Sequence, residues 1–256
     1  MRGLILAIQF LTRLPTPQVG EFRADDLARA ALWFPFAGLL VGAVVAAALA
    51  LGARVDPWLG ALLGLLAWVW VTGALHLDGL CDLADALGAA HGDKNRLLSV
   101  LADPHVGAFG VVALVLQLLA KLVLLMLLAR IELFLAVLLI PAWARLGTLV
   151  WARLPSIKPG LGERFSWRCT RNGHAGSVRR QSRQRLRCPT WAIALWGAVL
   201  LPACVLYPAL LAAPLLILAW RAYLLSRLGG MSGDALGAGV EWLESGLLLA
   251  LLLGAR

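Results

Sequence analysis

The run His76-Leu77-Asp78-Gly79-Leu80-Cys81-Asp82-Leu83-Ala84-Asp85 follows directly on the tryptophan-rich apolar stretch Trp58 to Leu75. A histidine and three carboxylates therefore stand where the chain leaves an apolar environment. In a helix Asp78, Asp82 and Asp85 occupy i, i+4 and i+7, which puts all three on one face. Carboxylates in such register repel one another unless a cation joins them. Mg2+ is a hard ion that takes oxygen ligands, and it uses a few carboxylates together with substrate phosphates. His76 is placed to act as a general base, to hydrogen-bond a substrate, or to orient Asp78. The competing reading is a solvated acidic helix start, favourable on the helix dipole alone. Three acids in register beside a membrane span favour metal-assisted chemistry at a membrane surface.

A second cluster lies near the other end of the chain, at Gly229-Gly230-Met231-Ser232-Gly233-Asp234-Ala235-Leu236-Gly237-Ala238, with Glu241 and Glu244 beyond it. The glycines, Gly233 and Gly237 among them, free the backbone to approach a phosphate or let helices pack closely. Asp234 is expected to complete a metal shell begun by Asp78, Asp82 and Asp85; the plain alternative is a turn with a capping acid. Lys121 and Arg145 lie inside apolar runs, where a charge costs a few kcal/mol unless it faces a polar interior or a partner. Both are candidates for phosphate binding or for structural ion pairs. Arg13, between Thr12 and the prolines Pro15 and Pro17, is a third cation at the interface. Cys81 reads as a small neighbour of Asp82, since adjacent carboxylates disfavour a thiolate nucleophile.

The elements that must position these residues are read from the apolar runs. At 61% hydrophobic and 14% charged residues, with a mean hydropathy of +0.83, the chain is far too apolar for a soluble globule. It reads as an all-α, polytopic membrane helical bundle forming one integral membrane domain over residues 1–256, with a retained interfacial segment from Met1 to Leu14. A span needs about 20 apolar residues. Seven are placed, at Ala31 to Leu51, Trp58 to Leu75, Gly107 to Ala129, Ile131 to Trp151, Thr190 to Tyr207, Ala209 to Leu228 and Val240 to Gly254. The break near Tyr207 follows from Pro208 and Pro214.

With seven spans the amino terminus and the loops 76–106, 153–189 and 229–239 share one side. Segment 153–189 carries ten basic residues against one acid, Glu163, whereas the opposite side holds Arg54, Arg130 and Arg256. The shared side, with both acidic clusters, is thus cytoplasmic. That asymmetry accounts for the net charge of +9 and argues against a nucleic-acid ligand. The arginines from Arg164 to Arg187 read as a topogenic, lipid-facing stretch. Cys81, Cys169, Cys188 and Cys204 show no zinc or disulfide spacing, and His91, His105 and His174 show no mutual ligand spacing.

Taken together the motifs resemble one family nearly end to end. They are Phe10-Leu11-Thr12-Arg13-Leu14-Pro15-Thr16-Pro17, Phe34 to Gly38 with Gly42, His76 to Leu80 with Asp82 and Asp85, Asp103 through Gly107 with Gly110, Lys121, Gly160 to Glu163, and Gly230 to Gly237 with Glu241 and Glu244. The chain resembles cobalamin synthase, the adenosylcobinamide-GDP ribazoletransferase family of membrane enzymes. Cys81 where that pattern has Ala, Ala86 where it has Gly, and Ser232 where it has Thr are small-for-small departures. The resemblance implies a Mg2+-dependent transfer in which a hydroxyl of α-ribazole or its 5′-phosphate attacks the cobinamide-linked phosphoryl of adenosylcobinamide-GDP. GMP leaves, and adenosylcobalamin or its 5′-phosphate forms. It implies the cytoplasmic (inner) membrane of a prokaryote as the location, and a homo-oligomer is compatible with it. The metal ligands are expected to be Asp78, Asp82, Asp85 and Asp234, with Asp82, Asp85 and His76 as catalytic groups and Arg13, Lys121, Arg145, Gly233 and Gly237 on the phosphates. A CDP-alcohol phosphatidyltransferase is the nearest alternative enzyme, but its Asp-Gly-x-x-Ala-Arg pattern is missing after Asp78-Gly79. A transporter is a weaker alternative, because the carboxylates gather at one membrane face and not at the midplane.

Overall fold

A computed structural model describes residues 1–20, 26–103, 105–158 and 190–255. The basic stretch from Arg164 to Arg187, with Glu163, Cys169, His174 and Cys188, lies outside the described residues. Uninterrupted runs of Leu, Val and Ala form helices because straight-chain residues and Ala lose little freedom there, and because only intrahelical bonding satisfies the backbone in lipid. Among the described residues five helical segments are long and apolar enough to cross a membrane. They are α3 (Phe34–Ala53), α7 (Ala108–Arg130), α8 (Phe134–Trp151), the composite segment Pro208–Leu228, and the last helix, α12 (Gly233–Gly254). Pro208–Leu228 opens with the 3-10 turn Pro208–Leu211, continues as α11 (Ala212–Tyr223) and ends in a π turn at Leu224–Leu228.

The two remaining expected spans take other forms. Trp58 to Leu75 becomes α4 (Pro57–Thr72), whose 16 residues rise about 24 Å, short of a hydrocarbon core of about 30 Å. Gly73 and Ala74 then both adopt left-handed backbone, with φ of 60° and 61°. α5 (Leu75–Ala90) leaves α4 at 86°, and the bent pair counts together as a sixth candidate span. Thr190 to Tyr207 forms two short helices, α9 (Thr190–Leu200) and α10 (Ala203–Leu206), below span length. The last span begins at Gly233, not Val240, because the Ser232 hydroxyl accepts from the Ala235 amide at 3.1 Å and caps the helix there. Glu241 and Glu244 consequently lie inside α12 and do not open it.

α8 and α12 form the centre of the bundle. α3 packs along α4 and α8, and α12 along α5, α7 and α8. Val41, Val45 and Leu49 of α3, Ile140 and Leu149 of α8, and Leu243 and Leu247 of α12 are fully buried. α7 turns Phe109, Val112, Leu116 and Leu119 outward, an apolar face of the kind lipid covers. At the amino terminus α1 (Arg2–Leu11) packs on α2 (Asp26–Ala31) and α3, and the Arg13 amide donates to the Val71 carbonyl at 2.8 Å. That bond ties the first segment to the end of α4. α6 (Lys94–Leu101) lies beside α5.

Candidate functional site

The acidic row of α5 descends into the protein: Asp78 is exposed, Asp82 half-buried and Asp85 buried. Asp234, on the last helix, joins this row through one close helix contact. A Cβ at Gly79 would meet the Asp234 carbonyl oxygen at 2.8 Å and its Cα at 3.0 Å, so only glycine lets α5 approach the first turn of α12 this closely. Gly237 faces the same crossing, against the His76 carbonyl and Gly79. Gly237 therefore serves helix packing, and Gly233 opens the last helix behind the Ser232 cap. Asp78, Asp234 and Asp85 act as like charges on Asp82, and Lys158 opposes them.

Lys158 arrives on a short backbone bridge. Ile157 N–H donates to the Met231 carbonyl at 2.9 Å and Met231 N–H donates to the Pro155 carbonyl at 2.8 Å. The Pro155 carbonyl crowds the position a Gly230 side chain would need, which fixes glycine there. The bridge sets the Lys158 ammonium 2.6 Å from Asp234 Oδ2 and 2.7 Å from the Leu101 carbonyl at the end of α6. Lys158 is the one lysine among the ten basic residues of 153–189, but no spacing in the sequence ties it to Asp234, and sequence reasoning does not find it.

Asp85 has backbone partners of its own. Its two oxygens accept from the Gly107 and Gly110 amides, each at 2.8 Å. These are the cap and third positions of α7, so Asp85 caps α7 from a neighbouring helix. Cys81 lies 4.0 Å below the same carboxylate. A buried carboxylate held by two amides anchors α5 to the start of α7. Elsewhere on this side His105 and Asp103 form an exposed pair at 2.6 Å. The hydrogen bond from His105 holds the Asp103 carboxyl below the usual carboxylate range.

Lys121 and Arg145 are not on the acidic face. Lys121 Nζ sits 2.7 Å from Glu241 Oε2 and 2.6 Å from Glu244 Oε2, and 4.4 Å above the Trp68 ring. Arg145 pairs with the other oxygen of Glu244, and all four charged groups are buried. Gln117, which sequence reasoning also missed, donates to Glu241 Oε2 at 2.8 Å and to Ser245 Oγ at 2.9 Å. Two cations and two anions cancel, which is what makes charge tolerable at this depth. The phosphate role expected of Lys121 and Arg145 gives way to internal pairing. His76 meets this group at its edge, with Nδ1 3.4 Å from an Arg145 nitrogen. A guanidinium only donates, so Nδ1 accepts and the neutral ring carries its proton on Nε2. Arg13 alone of the expected phosphate cations is exposed, and its side chain crosses Gly73 at the bend leading into α5.

Among the described residues no three His, Cys, Asp or Glu side chains are grouped closely enough to hold a metal ion by themselves. Mg2+ does not require that, because one or two carboxylates, waters and substrate phosphates complete its shell. The donor set fits: Asp78, Asp82 and Asp234 offer hard oxygens. At Asp234 a cation, the Lys158 ammonium, already stands at ligand-like distance.

The family described as cobalamin-5-phosphate synthase matches residues 3–252. The adenosylcobinamide-GDP ribazoletransferase of Laribacter hongkongensis is 54% identical over 261 residues, covering 100% of this chain and 98% of that protein. Its namesake in Thiobacillus denitrificans is 52% identical over 251 residues, 97% of this chain and 94% of the relative. That of Novosphingobium aromaticivorans is 51% identical over 257 residues, 99% and 97%. No solved structure matches. With a family match over nearly its whole length and relatives above half identity, this chain belongs to the cobalamin-5-phosphate synthase family.

Proposed function

We propose that the chain is an adenosylcobinamide-GDP ribazoletransferase working at the cytoplasmic face of a prokaryotic inner membrane. A hydroxyl oxygen of α-ribazole or its 5′-phosphate bonds to the cobinamide-linked phosphorus of adenosylcobinamide-GDP. The bond from that phosphorus to the GMP oxygen breaks, and adenosylcobalamin or its 5′-phosphate and GMP result. The observation that carries this reading is the meeting of Asp234 with the Asp78 and Asp82 face at the Gly79 contact. It gathers hard oxygen ligands at one end of a membrane bundle, where a diphosphate in solution and a membrane-bound acceptor site can meet.

Phosphoryl transfer is chiefly positioning and charge neutralisation. Asp78, Asp82 and Asp234 would hold Mg2+, which when bound offsets charge on the phosphate oxygens. Asp82, half-buried among like charges, is the carboxylate suited to take the proton of the attacking hydroxyl. Arg13 extends from the α4–α5 bend toward solvent and would steady the diphosphate. His76 and Asp85 act through position: His76 bears on Arg145, and Asp85 locks α5 to the start of α7. Release of GMP from adenosylcobinamide-GDP by purified protein in detergent, with α-ribazole 5′-phosphate and Mg2+ added, tests the reading. No GMP release refutes it, and activity on a CDP-alcohol substrate instead would favour the phosphatidyltransferase alternative.

A further inference from the structure

Lys158 stands in the acidic site with no place in the mechanism above. Its ammonium contacts Asp234 Oδ2 at 2.6 Å and the Leu101 carbonyl at 2.7 Å, and it is the positive charge acting on Asp82 against three carboxylates. The position is imposed by the fold. Both backbone bonds between Pro155–Ile157 and Met231 hold the segment, and Ser156 Oγ donates to the Lys158 carbonyl at 2.8 Å. A surface lysine free to choose its partner would not need such a bridge, since an exposed pair gains little for the side-chain freedom it loses.

We infer that Lys158 is a built-in counter-ion that competes with the divalent cation for Asp234. The inference rests on the assignment of Asp82 and Asp234 to metal binding. With Lys158 on Asp234, the acidic face is partly neutralised and one ligand oxygen is occupied. A divalent cation must displace the ammonium and then share the site with its positive charge, so metal binding to the free protein is weakened. A bound diphosphate brings negative charge that offsets both cations. Metal binding is thereby biased toward the substrate-loaded enzyme. The Leu101 carbonyl, at the end of α6, keeps the displaced ammonium close.

The test is Mn2+ binding to the full-length, substrate-free protein in detergent, followed by the electron paramagnetic resonance signal of free Mn2+. Lys158→Gln removes the charge and is expected to lower the half-saturating Mn2+ concentration about threefold to tenfold. Lys158→Arg keeps the charge and should bind Mn2+ as the wild type does. Lys158→Met serves as a second neutral variant, and the backbone bridge to Met231 gives both neutral variants a fold to keep. If the neutral variants bind Mn2+ no more tightly than wild type, while Asp82→Asn and Asp234→Asn weaken binding, the Lys158 inference is overturned and the metal assignment stands. If neither wild type nor the neutral variants bind Mn2+, or the two Asn variants bind it unchanged, the metal assignment fails and the Lys158 inference with it.

Discussion

Glu244→Gln isolates what the buried charge network contributes. Glu244 accepts from Lys121 through one oxygen and pairs with Arg145 through the other. Lys121 has a second anion in Glu241 at 2.7 Å, but Arg145 has no other carboxylate, and its Nε has no hydrogen-bond partner among the described residues. Neutralising Glu244 turns a balanced group of two cations and two anions into one with a net charge of +1. The uncompensated charge rests on a fully buried arginine. Breaking such a pair costs about 3–5 kcal/mol, a large share of the roughly 5–15 kcal/mol that holds a folded protein together. Glu241→Gln leaves both Lys121 and Arg145 paired, so it should cost less, about 1–2 kcal/mol. Removing both partners by Arg145→Met with Glu244→Met restores neutrality and should recover most of the loss. The assay is thermal unfolding in detergent, read by intrinsic tryptophan fluorescence. The midpoint is expected to fall on the order of ten degrees for Glu244→Gln, less for Glu241→Gln, and to recover in the double variant. A Glu244→Gln midpoint equal to wild type, or a double variant worse than the single one, refutes the reasoning.

Two further expectations concern the crossing of α5 with α12 and the topology. Gly79→Ala drives a methyl against the Asp234 backbone, with no flexible side chain to give way, so it should displace the start of α12, cost about 1–3 kcal/mol and abolish most GMP release. Gly237→Ala meets atoms only at 3.3–3.4 Å and should keep most activity; the reverse order would show that this contact does not position Asp234. In a cysteine-free background, a membrane-impermeant maleimide applied to intact cells should label a cysteine at exposed Val55 and leave one at exposed Asn95 unmodified. Labelling at Asn95 would put the acidic face on the wrong side.

The apolar runs made the bundle legible, because length and composition alone decide whether a helix can cross lipid. Two of the seven runs fall short, where Gly73 and Ala74 bend the chain after α4 and where α9 stops at Leu200, and one end is misplaced where a local signal overrides hydropathy. Gly233, Asp234 and Gly237 lower the apolar count, yet the Ser232 cap starts α12 there. The helical register of Asp78, Asp82 and Asp85 was equally legible, but register says which face a residue occupies and not what packs against it. The amides of Gly107 and Gly110, 22 and 25 positions after Asp85, decide that residue's use. For Lys121 and Arg145 the sequence left phosphate and ion pair open, since the choice depends on how α7, α8 and α12 rotate against one another. Lys158 was hidden for a different reason. Its distinction comes from a two-bond bridge between segments some 75 residues apart in sequence, and no periodicity signals a bridge of that kind.

The central claim is that Asp82 and Asp234, from opposite ends of the chain, serve one Mg2+ site. GMP release from adenosylcobinamide-GDP, measured against Mg2+ concentration for wild type, Asp82→Asn and Asp234→Asn, tests it most directly. Each substitution keeps side-chain size and removes one charge, so inserted protein should persist while turnover falls by orders of magnitude. The combined variant should lose little more than either alone, because both act on one ion. Normal turnover by both single variants at limiting Mg2+ would contradict the account.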